Sequence, residues 1–172
     1  MSVPRPKLWW GLAAMAVILV LFGVGDIAAG LEADPAITIS LLGLTPGELR
    51  DQSAAGYRLA DYMARSGGLV LATLGIALTI LVAVPYRRRD RWSWRAMWLL
   101  PAWALAVPVG YLMVGTLPNQ PPPPPLVSGP IFAVLAAVIL VADRRAFVRA
   151  PGVGAGSEPS QRGSATPVPE AG

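Results

Sequence analysis

Between Arg95 and Asp143 this chain runs 47 residues without a charged side chain, and two more uncharged apolar runs, 8–25 and 66–86, lie upstream. Runs of that length and purity do not suit a water-soluble core. One charge at the centre of a membrane helix costs about 2.5–3.5 kcal/mol on the insertion scale, so its avoidance here reads as selection by lipid. The expected fold is all-α: an antiparallel four-helix transmembrane bundle with a partly helical outer loop.

At 1.5 Å per residue the first run makes a helix of about 27 Å and the second one of about 32 Å, each enough for the hydrocarbon layer. A secretory signal peptide would share the basic start (Arg5, Lys7) and the small residues 28–30. The apolar stretch is longer than a signal core, and Trp9 and Trp10 sit where an interfacial belt falls, so an uncleaved helix is expected. The long run must divide, and prolines show where. Pro118 and the five prolines 121–125 cannot continue a helix and favour an extended turn, separating a third crossing (about 96–117) from a fourth (about 127–142). Pro101 and Pro108 lie on one face of the third helix and should bend it.

The net charge of +4 is placed as an anchor, beside apolar runs, and not as a nucleic-acid surface. The N-terminal tail, the segment 87–95 and the C-terminal tail carry eleven basic residues, whereas the segment 26–65 carries three against six acids. Positive-inside logic puts both termini in the cytoplasm. Thirteen arginines to one lysine, with abundant Ala, Gly, Val and Pro, reads as the coding bias of a GC-rich bacterium, hence an inner-membrane location. The tail 150–172, rich in Pro, Gly, Ser and Ala, is expected to be disordered and cytoplasmic, leaving 1–149 as one membrane domain.

No cysteine and no histidine occur, which removes disulfides, thiolate nucleophiles, the usual zinc and haem sites and His-based triads. No metal, cofactor or catalytic residue is therefore assigned. Small residues recur at i, i+4 and i+7 in the second crossing (Gly68, Ala72, Gly75) and in the fourth (Gly129, Ala133, Ala136). Such stripes let membrane helices approach, although Ala and Gly are also simply common in this chain. Trp92, Trp94 and Trp98 fit an interfacial anchor better than a ligand cage.

Functional information concentrates in 26–65, too long for a plain turn. Thr45, Pro46 and Glu48 form a capping box that starts a short helix. The apolar residues 36–42 are expected to cover the mouth of the bundle or dip into the interface. Ser53 can cap a further helix running on into the second crossing, on which Arg58, Asp61 and Arg65 share one face, with Asp61 before Arg65 in the favourable i, i+4 order for an ion pair. Asp26, at the end of the first run, should lie at the depth of Arg65 and is a candidate partner for it. Asp26, Arg58, Asp61, Tyr62 and Arg65 make the candidate outer ligand pocket; a solvated salt-bridge row is the plain alternative.

A long outer loop after the first helix, Arg65-Ser66-Gly67-Gly68 at the start of the second crossing and a basic, Trp-bearing turn from Arg87 to Trp94 resemble the DoxX-like group of small four-pass bacterial membrane proteins. The resemblance covers about 8–142. It implies a four-helix antiparallel bundle, and some members of that group have redox or respiratory accessory roles. With no cysteine for thiol chemistry, no redox activity is carried over.

The favoured function is a non-enzymatic accessory protein or small-ligand-binding bundle. Its partners are the lipid bilayer and a membrane protein complex or further copies of the chain, not nucleic acid. A small transporter or channel subunit is the alternative, with Thr73, Thr79, Trp103 and Tyr111 as pore-lining candidates. Coupled transport usually needs an ionisable group near the midplane, and no crossing has one. A membrane enzyme using outer carboxylates with Tyr57 or Tyr62 is the third reading; their spacing specifies no reaction.

Overall fold

The computed structural model describes residues 8–148, and among these the chain is helical with no strand. The tail 150–172 and the basic residues Arg5 and Lys7 lie outside the described residues. Four helical stretches are long and apolar enough to cross a membrane: Trp9–Ala33, Ala54–Tyr86, Arg91–Val114 and Pro124–Arg145.

Helix α1 (Trp9–Ala29) runs past Gly25 and takes Asp26 into its last turn. It stops at Gly30, whose φ of 60° favours glycine and whose N–H closes on the Asp26 carbonyl. The segment 36–42 is helical. In α2 (Pro35–Leu42), Asp34 caps the Ala36 N–H at 3.2 Å, Pro35 occupies the first position and left-handed Gly43 ends the helix. Helix α3 (Pro46–Gln52) carries the full capping box, with Thr45 and Glu48 bonded reciprocally. Helix α4 (Ala54–Leu81) starts at the Ser53 cap and runs without interruption into the second crossing. A widened π turn, Val82–Tyr86, follows at Pro85, and the chain reverses through Arg89 with φ 63°.

The third crossing is broken, but not as a simple proline bend. Helix α5 (Arg91–Ala96) ends and α6 (Leu99–Val114) restarts so that Pro101 falls in its first turn, where a missing N–H costs no intrahelical bond. Pro108 lies inside the continuous remainder of α6. Helix α7 (Pro124–Val148) begins three residues before the expected boundary, because Pro124 and Pro125 can occupy the first turn whose N–H groups have no partner anyway.

Two helix pairs make up the body, α1 with α4 and α6 with α7, and α1 and α5 join them through α7. The α1–α4 seam is made by glycine. A Cβ added at Gly75 would fall 2.7 Å from the Val20 nitrogen, one at Gly23 2.4 Å from the Ala72 nitrogen, and one at Gly68 2.6 Å from the Asp26 Cβ. Numbers rise along α1 as they fall along α4, so the two helices run in opposite directions. Gly129 makes the matching approach to the Ala104 carbonyl of α6, and Ala133 and Ala136 are buried beside it. The small-residue stripes are therefore contact faces.

The apolar core gathers toward the end that carries the arginines: Leu12, Met15 and Leu19 meet Leu78, Val82, Tyr86, Met97, Leu100 and Leu140. There Tyr86 donates to Asp143 at 3.0 Å and packs its ring on Phe147 at 4.8 Å. Trp94 donates from its indole N–H to the Leu140 carbonyl at 2.9 Å, and the Arg87 guanidinium lies over the Trp9 ring at 4.8 Å. Outward, large apolar side chains such as Leu21, Phe22, Leu69, Val70, Leu112, Val134 and Val138 stand exposed on all four long helices.

Candidate ligand cleft

At the opposite end, where residues 26–65 lie, α1, α2, α4 and α6 surround a cleft of about 480 Å³. Its walls are mostly apolar. Helix α4 contributes Ala60, Met63, Ala64 and Gly67, which recur at helical spacing on one face, and α2 contributes Ile37, Leu41 and Leu42. The polar groups are few: Asp26 from the last turn of α1, Asp34 at the cap of α2, Thr38 on α2 and Tyr111 on α6. Helix α2 is held in place by the α6–α7 turn, since the Ser40 hydroxyl donates to the Pro121 carbonyl at 2.5 Å and the Ser40 backbone carbonyl accepts the Leu117 N–H at 3.0 Å.

Beside the cleft, Arg65 braces the end of α1. An arginine at the N-terminal edge of a membrane helix would oppose the helix dipole, but α4 begins at Ala54, about three turns earlier, so Arg65 is mid-helix. Its Nη1 donates to the carbonyls of Ile27 (2.6 Å) and Ala28 (3.1 Å), and its Nε to Asp61 at 2.8 Å. Those carbonyls belong to the last turn of α1, which has no intrahelical donors left and carries the negative dipole end. Asp61 turns its other oxygen to the Leu31 N–H at 3.0 Å. Gly30 fits between them: a Cβ there would overlap the Asp61 carboxylate.

Of the two carboxylates that could pair with Arg65, Asp61 does and Asp26 does not. Arg65 is committed to Asp61 and to the end of α1, while Asp26 packs its Cβ against Gly68 and makes no hydrogen bond or ion pair among the described residues. Arg58 and Tyr62 are not at the cleft either. At 3.6 residues per turn they lie roughly 160° and 200° round α4 from Ala60, so both face away and are exposed. Of the five expected pocket residues, Asp26 lines the cleft, Asp61 and Arg65 brace its rim, and Arg58 and Tyr62 stand outside.

Two cleft residues, Asp34 and Thr38, were not singled out as a site from sequence, and Tyr111 was named only as a pore-lining candidate. The Asp34-Pro35 pair, an N-cap followed by proline and closed by Gly43, was the available signal for α2. Nothing in the sequence marks Tyr111 as facing Asp26, because that meeting depends on how α6 packs. Thr38 is 3% exposed, and its hydroxyl has no hydrogen-bond partner among the described residues.

Farther out, Glu32, Arg50 and Tyr57 form a small cluster. Arg50 pairs with Glu32 at 3.2 Å, donates to the Tyr57 hydroxyl and lies 4.2 Å from the Tyr57 ring centroid. The Tyr57 hydrogen bond raises the Arg50 pKa above its ordinary value. The Thr45 N–H, then the Thr45 hydroxyl, lower that of Glu48. Both clusters fix loop geometry. The pore-lining candidates Thr73 and Thr79 bond back to the Leu69 and Gly75 carbonyls of their own helix, and Thr73 faces outward. Among the described residues no group of three or more carboxylates converges as a metal site.

No family model matches this chain, and neither a curated protein nor a solved structure matches it.

Proposed function

We propose that the chain is a four-pass protein of a bacterial inner membrane. It would form an antiparallel bundle with both ends in the cytoplasm and hold a small amphipathic ligand at its outer end without converting it. Two features support the membrane part. Apolar side chains face outward on all four long helices, where water would penalise them and lipid would not. The segment 87–95 carries five basic residues to one acid, whereas 26–65 carries three against six acids, as positive-inside sorting demands. The DoxX-like layout points to the same architecture.

The ligand part is carried by the cleft. A cavity of about 480 Å³ with apolar walls and a few convergent polar groups has the size and character of a small-molecule site. An accessory role, in which the ligand or a membrane protein partner is stabilised, fits the same surface. Native mass spectrometry of the protein extracted in mild detergent tests it. A retained small molecule on the wild type that disappears in Gly67→Phe supports the assignment. A bare protein, or one whose adducts ignore that substitution, contradicts it.

A further inference from the structure

We propose that the cleft takes a lipophilic organic cation, an ammonium or phosphonium centre on an apolar body, with Asp26 as its counter-ion. The inference rests on the ligand-binding assignment above and adds the charge class.

Three observations carry it. First, the cleft is lined by two carboxylates, Asp26 and Asp34, and by no basic residue. The nearest cation, Arg65, is already spent on Asp61 and on the carbonyls of Ile27 and Ala28. Second, Asp26 sits in the last turn of α1, at the negative end of the helix dipole, where a carboxylate is unfavourable without a compensating positive charge. The fold supplies that compensation to the carbonyls and not to Asp26. Gly68 meanwhile makes room for the Asp26 Cβ, so the acid is accommodated sterically and left electrostatically open. Third, Thr38 also lines the cleft, is 97% buried and has a hydroxyl oxygen with no hydrogen-bond partner among the described residues. A buried hydroxyl without a partner is expensive, and rotation about χ1 toward the cleft would let a ligand polar group satisfy it. Tyr111 adds an aromatic wall, a surface that attracts cations through its ring quadrupole. An anionic or purely neutral ligand would leave the Asp26 charge uncompensated.

The test uses two probes of nearly equal shape and opposite charge, tetraphenylphosphonium and tetraphenylborate. Each is titrated against the full chain in lipid nanodiscs, with protein-free nanodiscs subtracted. Saturable binding of tetraphenylphosphonium and none of tetraphenylborate is expected. Asp26→Asn, which removes no hydrogen bond, should weaken tetraphenylphosphonium by about tenfold or more while leaving helicity unchanged. Gly67→Phe should abolish binding, because a Cβ at Gly67 points into open space and the ring would fill the cleft. If both ions bind alike and both are lost in Gly67→Phe, or if Asp26→Asn changes nothing, the charge assignment is overturned while the ligand cleft stands. If neither ion binds, or if binding survives Gly67→Phe, both fall.

Discussion

The guanidinium of Arg65 donates to the carbonyl oxygen of Ile27 across 2.6 Å, joining the middle of α4 to the open carbonyl end of α1. A cation from one helix thus neutralises the negative terminus of its neighbour, and Asp61 holds that cation in place from one turn earlier.

Arg65→Ala should therefore lower the melting temperature more than Asp61→Asn. The first change removes the guanidinium donor to the Ile27 and Ala28 carbonyls, while Asn can still accept the Leu31 N–H. A thermal-melt cycle of Arg65→Ala, Asp61→Ala and the double variant should show coupling, with the double milder than the sum. Strict additivity would mean that the two side chains act independently. Adding Asp26→Ala to Arg65→Ala should, by contrast, be additive, because these two residues do not pair.

Glycine substitutions should sort by what their new Cβ meets. Gly23→Ala and Gly75→Ala place a methyl 2.4 Å and 2.7 Å from a backbone nitrogen of the partner helix, so both should destabilise the protein, by about 1–3 kcal/mol each. Gly25 and Gly110 meet nothing within 4 Å, and alanine there should be neutral or stabilising by about 0.5–1 kcal/mol. Unfolding in mixed micelles measures all four; equal effects across them would deny the close α1–α4 seam.

These contrasts also mark what the sequence could reveal. Uncharged runs locate four long helices because lipid compatibility is a property of composition. The Gly68-Ala72-Gly75 stripe and the Thr45 box were readable because each depends on local spacing. Asp61 was readable as a partner of Arg65 from its i, i+4 spacing, whereas the other acceptors were not. Choosing between Asp26 and the carbonyls of Ile27 and Ala28 depends on how far α1 runs and how it is rotated. Both are settled by Gly30 and by packing on α4. The cleft residues Thr38 and Tyr111 lie 73 positions apart and meet only through the seating of α2 on the proline turn.

Acid should loosen the start of α3. The two Thr45 hydrogen bonds hold the folded-state pKa of Glu48 below its ordinary value of 4.5. A depressed carboxylate contributes stability that is complete above the ordinary value and is lost as pH falls through the lower, folded value. Amide exchange at Thr45 should accelerate as pH drops across that window, after correction for intrinsic rates. Glu48→Gln should flatten the response, since an amide keeps an acceptor for the Thr45 N–H without titrating. An unchanged pH profile in that variant would place the transition on another group.

At the arginine end, Tyr86→Phe should cost about 1.5 kcal/mol, the loss of a hydrogen bond to the Asp143 carboxylate with ring packing on Phe147 retained. Trp94→Phe should cost a similar amount by orphaning the Leu140 carbonyl, which the indole N–H now satisfies. Denaturant unfolding monitored by far-ultraviolet circular dichroism checks both; changes below a few tenths of a kcal/mol would show that water replaces these partners.

The membrane topology and the position of the cleft stand or fall together, and the absence of cysteine makes one measurement clean. A single cysteine is introduced at Gln52, beside the loop that frames the cleft, or at Arg88, in the basic turn, both of them exposed positions. Intact bacterial spheroplasts are then treated with a membrane-impermeant maleimide. Gln52→Cys should label in intact spheroplasts, and Arg88→Cys only after lysis. Labelling of Arg88→Cys from outside, with Gln52→Cys protected until lysis, would invert the protein and put the cleft in the cytoplasm; labelling of both from outside would remove the four-pass arrangement itself.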